Sequence, residues 1–197
     1  MASDTVILAF DTSGPFCAAA ILINGEFTAC RADEMARGQA EAITDMIEDV
    51  LRISSVTLQD VTRIGVGTGP GNFTGIRIAV SAARGFALSL EIPAIGVNGF
   101  DATLFEQNEQ AVACLPAIRD QVYFAGHKLN PQMAGRDHAV RLGRPLIDRP
   151  DPAQLVQNIA LIAQKADKFA RPVPMYVKPA DAAPARDLPP KVLDDAN

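Results

Sequence analysis

Residues 63–90 read RIGVGTGPGNFTGIRIAVSAARGFALSL. A short apolar run, a glycine-dense loop and a segment with helical spacing at Ile78, Val80, Ala82, Phe86 and Leu90 follow one another without a gap. That order describes a strand feeding a helix through a tight turn, and so an α/β fold. Two nucleotide-binding motifs can be tested against the loop, and both fail. A Walker A loop needs a lysine for the phosphates, and no lysine precedes Lys128. A dinucleotide fingerprint needs a third small residue. Counting from Gly65, Gly67 or Gly69 places Pro70, Asn72 or Thr74 there instead. Two readings of the loop remain. In the first, Gly69, Pro70 and Gly71 make a sharp turn, Asn72 or Thr74 caps the helix, and Phe73 anchors the loop in the core. In the second, the backbone from Gly69 to Gly75 holds an anion, helped by the helix dipole and by Arg77 one turn in. The structural reading is the more common one for loops at helix starts.

The rest of the first half repeats the alternation. Val6 to Phe10 is a continuous apolar run ending in Asp11-Thr12-Ser13, as in a buried strand with polar groups at its tip. Cys17–Ile23 and Glu26–Cys30 flank Asn24-Gly25, a type I′ hairpin turn. Apolar residues at Ala36, Ala40, Ile43, Met46, Ile47, Val50 and Leu51 predict a helix over about Gly38 to Arg52. After the glycine loop and its helix, Pro93 stops the helix, Ala94–Val97 reads as a strand and Asp101–Glu106 as a short helix. The expected order is βββαβαβα. A second, abbreviated unit starts at Ala111–Leu115 and Gln121–His127, continues with a helix over Ala153–Lys165, and ends in a short strand at Met175–Val177. The expected division is therefore 1–98, 99–179 and a proline-containing tail, 180–197, extended or disordered.

Composition narrows the function. With 48% hydrophobic and 21% charged residues the chain is globular, and a net charge of −5 without a Lys/Arg run denies it the footprint of an autonomous nucleic-acid binder. A lone acid, Asp4, before a five-residue apolar run does not make a signal peptide, and no stretch approaches the roughly 18 apolar residues of a membrane span. Three widely spaced cysteines, Cys17, Cys30 and Cys114, form neither a disulfide framework nor a zinc set. Cys17 and Cys30 read as core residues of the hairpin strands, and a cytoplasmic protein fits best.

Catalytic equipment is sparse. Asp11, Thr12 and Ser13 could hold Mg²⁺ and a phosphate, but an Asp-Thr-Ser turn capping its own backbone is the simpler reading. His127 and His138 lack the spacing of a metal-binding helix, and no G-x-S-x-G elbow accompanies any serine. No metal or cofactor is expected.

ILAFDTS, GTGPGNFTGIRIAVSAARGFA and PMYVKPADA together resemble the TsaB (YeaZ) family, from about Val6 to Asp181 and most strongly before Asn98. The resemblance implies an ASKHA (actin, Hsp70, sugar-kinase) duplicated α/β fold with a complete first lobe and a reduced second lobe. It also implies a non-catalytic subunit that pairs with a TsaD-like transferase to make threonylcarbamoyladenosine on tRNAs reading codons that begin with A. A TsaE-like ATPase joins that pair, tRNA is met only through the complex, and a homodimer forms in isolation. An ASKHA-type small-molecule kinase or a glycoprotease-like enzyme is the alternative. The segment Ala117–Tyr123 departs from the family pattern by lacking its first Asp, and Gln39 stands where many members have His. Because the helices at about 38–52 and 74–90 are apolar over more than one face, the family's partner surface is expected there. Ile43, Met46, Ile47, Val50 and Phe86 are placed at or just beneath it, with Met46 facing outward.

Overall fold

The computed structural model describes residues 5–167 and 170–177; the tail expected at 180–197 lies outside them. Strands β1 (Val6–Asp11), β2 (Phe16–Ile23), β3 (Glu26–Glu34), β4 (Arg63–Gly67) and β5 (Ala94–Val97) form one sheet in the order β3-β2-β1-β4-β5. The hairpin strands pair antiparallel, while β1, β4 and β5 run parallel. Asn24 takes a φ of 51° and Gly25 one of 89°, as the Asn-Gly turn requires. Helices α1 (Gln39–Ile53) and α2 (Phe73–Leu90) connect the strands, and α3 (Gly99–Thr103) leads out of the sheet.

A second sheet, ordered β8-β7-β6-β9, comprises β6 (Val112–Pro116), β7 (Gln121–Gly126), β8 (Leu129–Gly135) and β9 (Leu146–Asp148). Its pairings repeat those of β1 to β4: two antiparallel neighbours, then a parallel one. Where the first sheet crosses from β3 to β4 through the 15 residues of α1, the second crosses through the five of α4 (Arg136–Val140). Helix α5 (Pro152–Lys165) then returns to the first sheet.

Burial explains the layers. All six residues of β1 are buried, because both faces of its sheet are covered. Val6, Leu8 and Phe10 pack under α1 and α2, with Ile43, Met46, Val50, Ala79 and Ala83. Ile7 and Ala9 face the other way, onto Leu155, Ile159 and Ala163 of α5 and Ala102 of α3. Each large aliphatic side chain fully buried in this way contributes roughly 1.5–3 kcal/mol. Arg63 fastens α5 from beneath, donating to the carbonyls of Ala163, Gln164 and Ala166 at its C-terminal end.

Three expectations are corrected. Met175–Val177 is not a strand. It belongs to an extended segment in which the Met175 N–H donates to the Thr68 carbonyl (2.8 Å), a single bond rather than a ladder. The short helix spans Gly99–Thr103, because the Asn98 side chain caps it by accepting from the Asp101 N–H. Cys30 is exposed, since β3 is the edge strand and its outer face is open; Cys17, on the covered β2, is buried and its thiol is pushed up to about 12. Strands β8 and β9 carried no signal, the first holding Pro131 and polar residues, the second being three residues long.

Candidate functional site

The tip of β1 and the start of α2 meet backbone to backbone. The Asn72 N–H donates to the Ser13 carbonyl at 2.7 Å, and the Thr12 hydroxyl donates to the Gly75 carbonyl at 2.7 Å. A Cβ on Gly71 would fall on the Ser13 carbonyl oxygen, and one on Gly75 on the Thr12 carbonyl oxygen. These two glycines are therefore demanded by close approach. Gly69 adopts a φ of 89°, and Pro70 is buried behind it.

Asn72, not Thr74, is the helix cap: its side-chain oxygen accepts from the Thr74 N–H (3.0 Å) and the Gly75 N–H (3.1 Å). Two of the donors an anion would need are thus already taken. Replacing Asn72 with Ala should cost about 1 kcal/mol, read as a lower midpoint in chemical denaturation. Phe73 is not in the core. It is 36% exposed and forms a surface cluster with Arg77, whose guanidinium carbon lies 3.9 Å from the ring centroid, and with Tyr176, whose ring centroid is 5.1 Å away. The Arg77 Nε also donates to the Tyr176 hydroxyl at 3.1 Å. Arg84, two turns on, donates to the Pro172 carbonyl through Nε (2.8 Å) and Nη2. Both arginines of α2 thus hold the segment 170–177 against the helix.

Asp11 is buried beneath this junction. Its Oδ1 accepts from the Ser13 N–H (2.7 Å) and its Oδ2 from the Ser13 hydroxyl (2.9 Å). Burial pushes its carboxyl above the ordinary carboxylate value despite those bonds. Asp11 is 2% exposed and each of its oxygens accepts a bond from Ser13, so the carboxyl braces the turn from inside. The histidines are engaged separately, His127 with Glu109 (3.9 Å) and His138 against the Phe124 ring (5.8 Å). Among the described residues no cluster of His, Cys, Asp and Glu is arranged to hold a metal ion.

The residues expected at a partner surface are largely internal. Ile43, Met46, Ile47 and Val50 are 0–4% exposed, so Met46 faces inward, and Phe86 is half-buried with its ring edge-on to Phe10 at 6.5 Å. The physical reason is that α1 sits on a hydrophobic sheet and turns Ile43, Met46, Ile47, Val50 and Leu51 onto it, leaving Ala40 and Ile53 outside. What α1 and α2 leave open is different: Glu41, Thr44, Asp45 and Glu48 on the first, and Thr74, Arg77, Ser81, Gly85 and Leu88 on the second. Leu88 is 82% exposed, and a Cβ on Gly85 would touch nothing within 4 Å. Ser81 and Gly85, one turn apart, give α2 a low surface between Arg77 and Leu88. Alanine-rich periodicity alone concealed this face; the exposed leucine beside a helical glycine was the available signal.

A family model described as TsaD, tRNA N6-adenosine threonylcarbamoyltransferase, matches residues 33–172. The chain is 36% identical over 125 residues to the tRNA threonylcarbamoyladenosine biosynthesis protein TsaB of Haemophilus influenzae, a match covering 60% of this chain and 52% of that protein. It thus spans about half the length of that relative. An uncharacterized protein of Mycobacterium tuberculosis is 30% identical over 204 residues, covering 91% and 95% of the two chains. Among solved structures, YeaZ from Pseudomonas aeruginosa superposes with a TM-score of 0.69 at 24% identity, over 87% of this chain and 99% of that one. The two share a fold.

Proposed function

The chain belongs to the TsaB (YeaZ) family, and from that premise we propose that it is a non-catalytic subunit in threonylcarbamoyladenosine formation on tRNA, acting by docking a TsaD-like transferase. The observation that carries this reading is the open face of α2, where Ser81 and Gly85 permit close approach of another helix and Leu88 supplies an apolar anchor. Beside it, Glu41, Asp45 and Glu48 line one side of α1 at helical spacing and favour a partner surface bearing Lys or Arg. Ile43, Met46, Ile47, Val50 and Phe86 lie directly beneath and hold both helices to the sheet. The buried Asp11–Ser13 turn supports a binding role over the kinase alternative, because phosphoryl transfer needs a carboxylate that Mg²⁺ can reach.

In this reading the same face supports a homodimer in isolation, a TsaE-like ATPase enters through the complex, and tRNA, repelled by a net charge of −5, is met only there. Among the described residues no helix is long and apolar enough to cross a membrane, and we place the protein in the cytoplasm. The repeated strand order supports two ASKHA-type lobes, 1–98 and 99–179 in sequence, with α5 serving the first.

Leu88→Arg tests the docking face without touching the core. It should fold with a stability within about 0.5 kcal/mol of the parent, run as a monomer in light scattering, and fail to co-purify with the TsaD-like protein. A variant that still pairs would place the surface elsewhere. Threonylcarbamoyl transfer to tRNA by the chain alone would overturn the non-catalytic assignment.

A further inference from the structure

A cleft of about 890 Å³ opens between the two sheets, away from the α1–α2 face, within the range of small-molecule sites. Arg149, the residue after β9, lines it. Its backbone is fixed by a bond from its N–H to the Cys114 carbonyl (3.1 Å), and its guanidinium lies over the ring of Phe16, 5.1 Å from the centroid. Among the described residues that guanidinium has no hydrogen-bond acceptor and no ion pair. Arg136, the other arginine of the cleft, is committed: its Nη1 and Nη2 donate to the two carboxylate oxygens of Asp148 at 2.5 and 2.9 Å. A planar, aimed and unpaired guanidinium in a concave site is suited to an oxyanion.

The carboxylates around the cleft decide what kind of oxyanion. Asp151 caps α5 by accepting from the Gln154 N–H (2.9 Å). The carboxylates of Glu34 and Asp120, by contrast, are exposed and, among the described residues, have no hydrogen bond or ion pair. Asp120 stands in the turn between β6 and β7 with a φ of 55°, a conformation that Asp tolerates. One uncommitted cation and two uncommitted carboxylates therefore share one cavity. A polyphosphate would meet Glu34 and Asp120 as like charges, whereas a ligand carrying both signs satisfies all three.

We infer that the cleft binds a small zwitterion of the amino-acid or short-peptide class, its carboxylate on Arg149 and its ammonium toward Glu34 and Asp120. Burial lowers the proton affinity of Arg149, while the charge of buried Asp11 behind it acts the other way. The site does not depend on the docking role proposed above, and its failure would leave that role standing.

The test is calorimetric titration of the whole chain with a panel of free α-amino acids and dipeptides, their N-acetylated forms, inorganic phosphate and ATP·Mg²⁺. At least one free amino acid or dipeptide should bind saturably at millimolar concentration, with its N-acetyl form weaker by about tenfold or more, since a charge-assisted bond is lost. Arg149→Gln should weaken it by a similar factor. Because Arg149 also faces buried Asp11, the double variant Glu34→Gln/Asp120→Asn, at exposed positions that leave folding intact, should weaken it independently by about tenfold. Binding of phosphate or ATP without any zwitterion, binding unchanged in these variants, or no binding across the panel would each overturn the proposal.

Discussion

Met46→Glu should leave no folded protein to assay. Met46 is 2% exposed beneath α1, among Leu8, Ile43 and Val50, and no cation lies in that cluster. The substitution removes roughly 2–3 kcal/mol of apolar burial and inserts a carboxylate that must either ionise unpaired or stay protonated. Together these cost at least about 5 kcal/mol, comparable to the whole stability of many domains. Far-ultraviolet circular dichroism should show loss of the cooperative transition, or the variant should partition into the insoluble fraction. Met46→Leu, which conserves volume, should stay within about 1.5 kcal/mol of the parent. If Met46→Glu instead folds as a monomer, α1 presents that residue outward and its packing on the sheet is wrong.

The second large effect is expected at the junction of β1 and α2. Gly75→Ala adds one methyl group, yet that carbon would fall on the Thr12 carbonyl oxygen, in the buried turn that follows β1. Neither side can give, because the Thr12 hydroxyl already ties β1 to the Gly75 carbonyl and Asn72 is tied to Ser13. Gly71→Val meets the Ser13 carbonyl in the same way. Each should cost about 3 kcal/mol or more, equivalent to a fall in melting temperature of roughly 6–12 °C for a chain of this length. Differential scanning calorimetry reads this directly. A melting temperature within 2 °C of the parent for both variants, on the order of the effect of a surface substitution, would mean that the loop stands off from the strand.

These two sites mark how far the sequence can be read. The apolar run at Val6–Phe10, the Asn-Gly turn and the strand–glycine loop–helix block each carry their own local instruction, and each formed at or within a residue or two of its expected bounds. The direction of a side chain is a different matter. The arc from Ile43 to Leu51 is apolar whether it lies on a sheet or on a partner, so periodicity alone could not turn Met46 inward. Phe73 was legible as aromatic and not as superficial, since the partners that draw it out, Arg77 and Tyr176, include one lying 103 residues further along the chain. Arg149 carried no signal at all: one arginine after a three-residue strand becomes notable only once Phe16, from the far end of the chain, lies beneath it.

The return of α5 to the first sheet bears on how the polypeptide is made. Ile7, Ala9, Ala18 and Ala20 find their cover in Leu155, Ile159 and Ala163, so the first five strands leave the ribosome with one face still bare. At roughly 5–20 residues per second, some 3–14 s pass between completion of β5 and the arrival of α5. During that interval the nascent chain is an adhesive surface in need of shielding. Its folding must finish nearly all at once, when the last helix arrives to close the sheet that the first residues began.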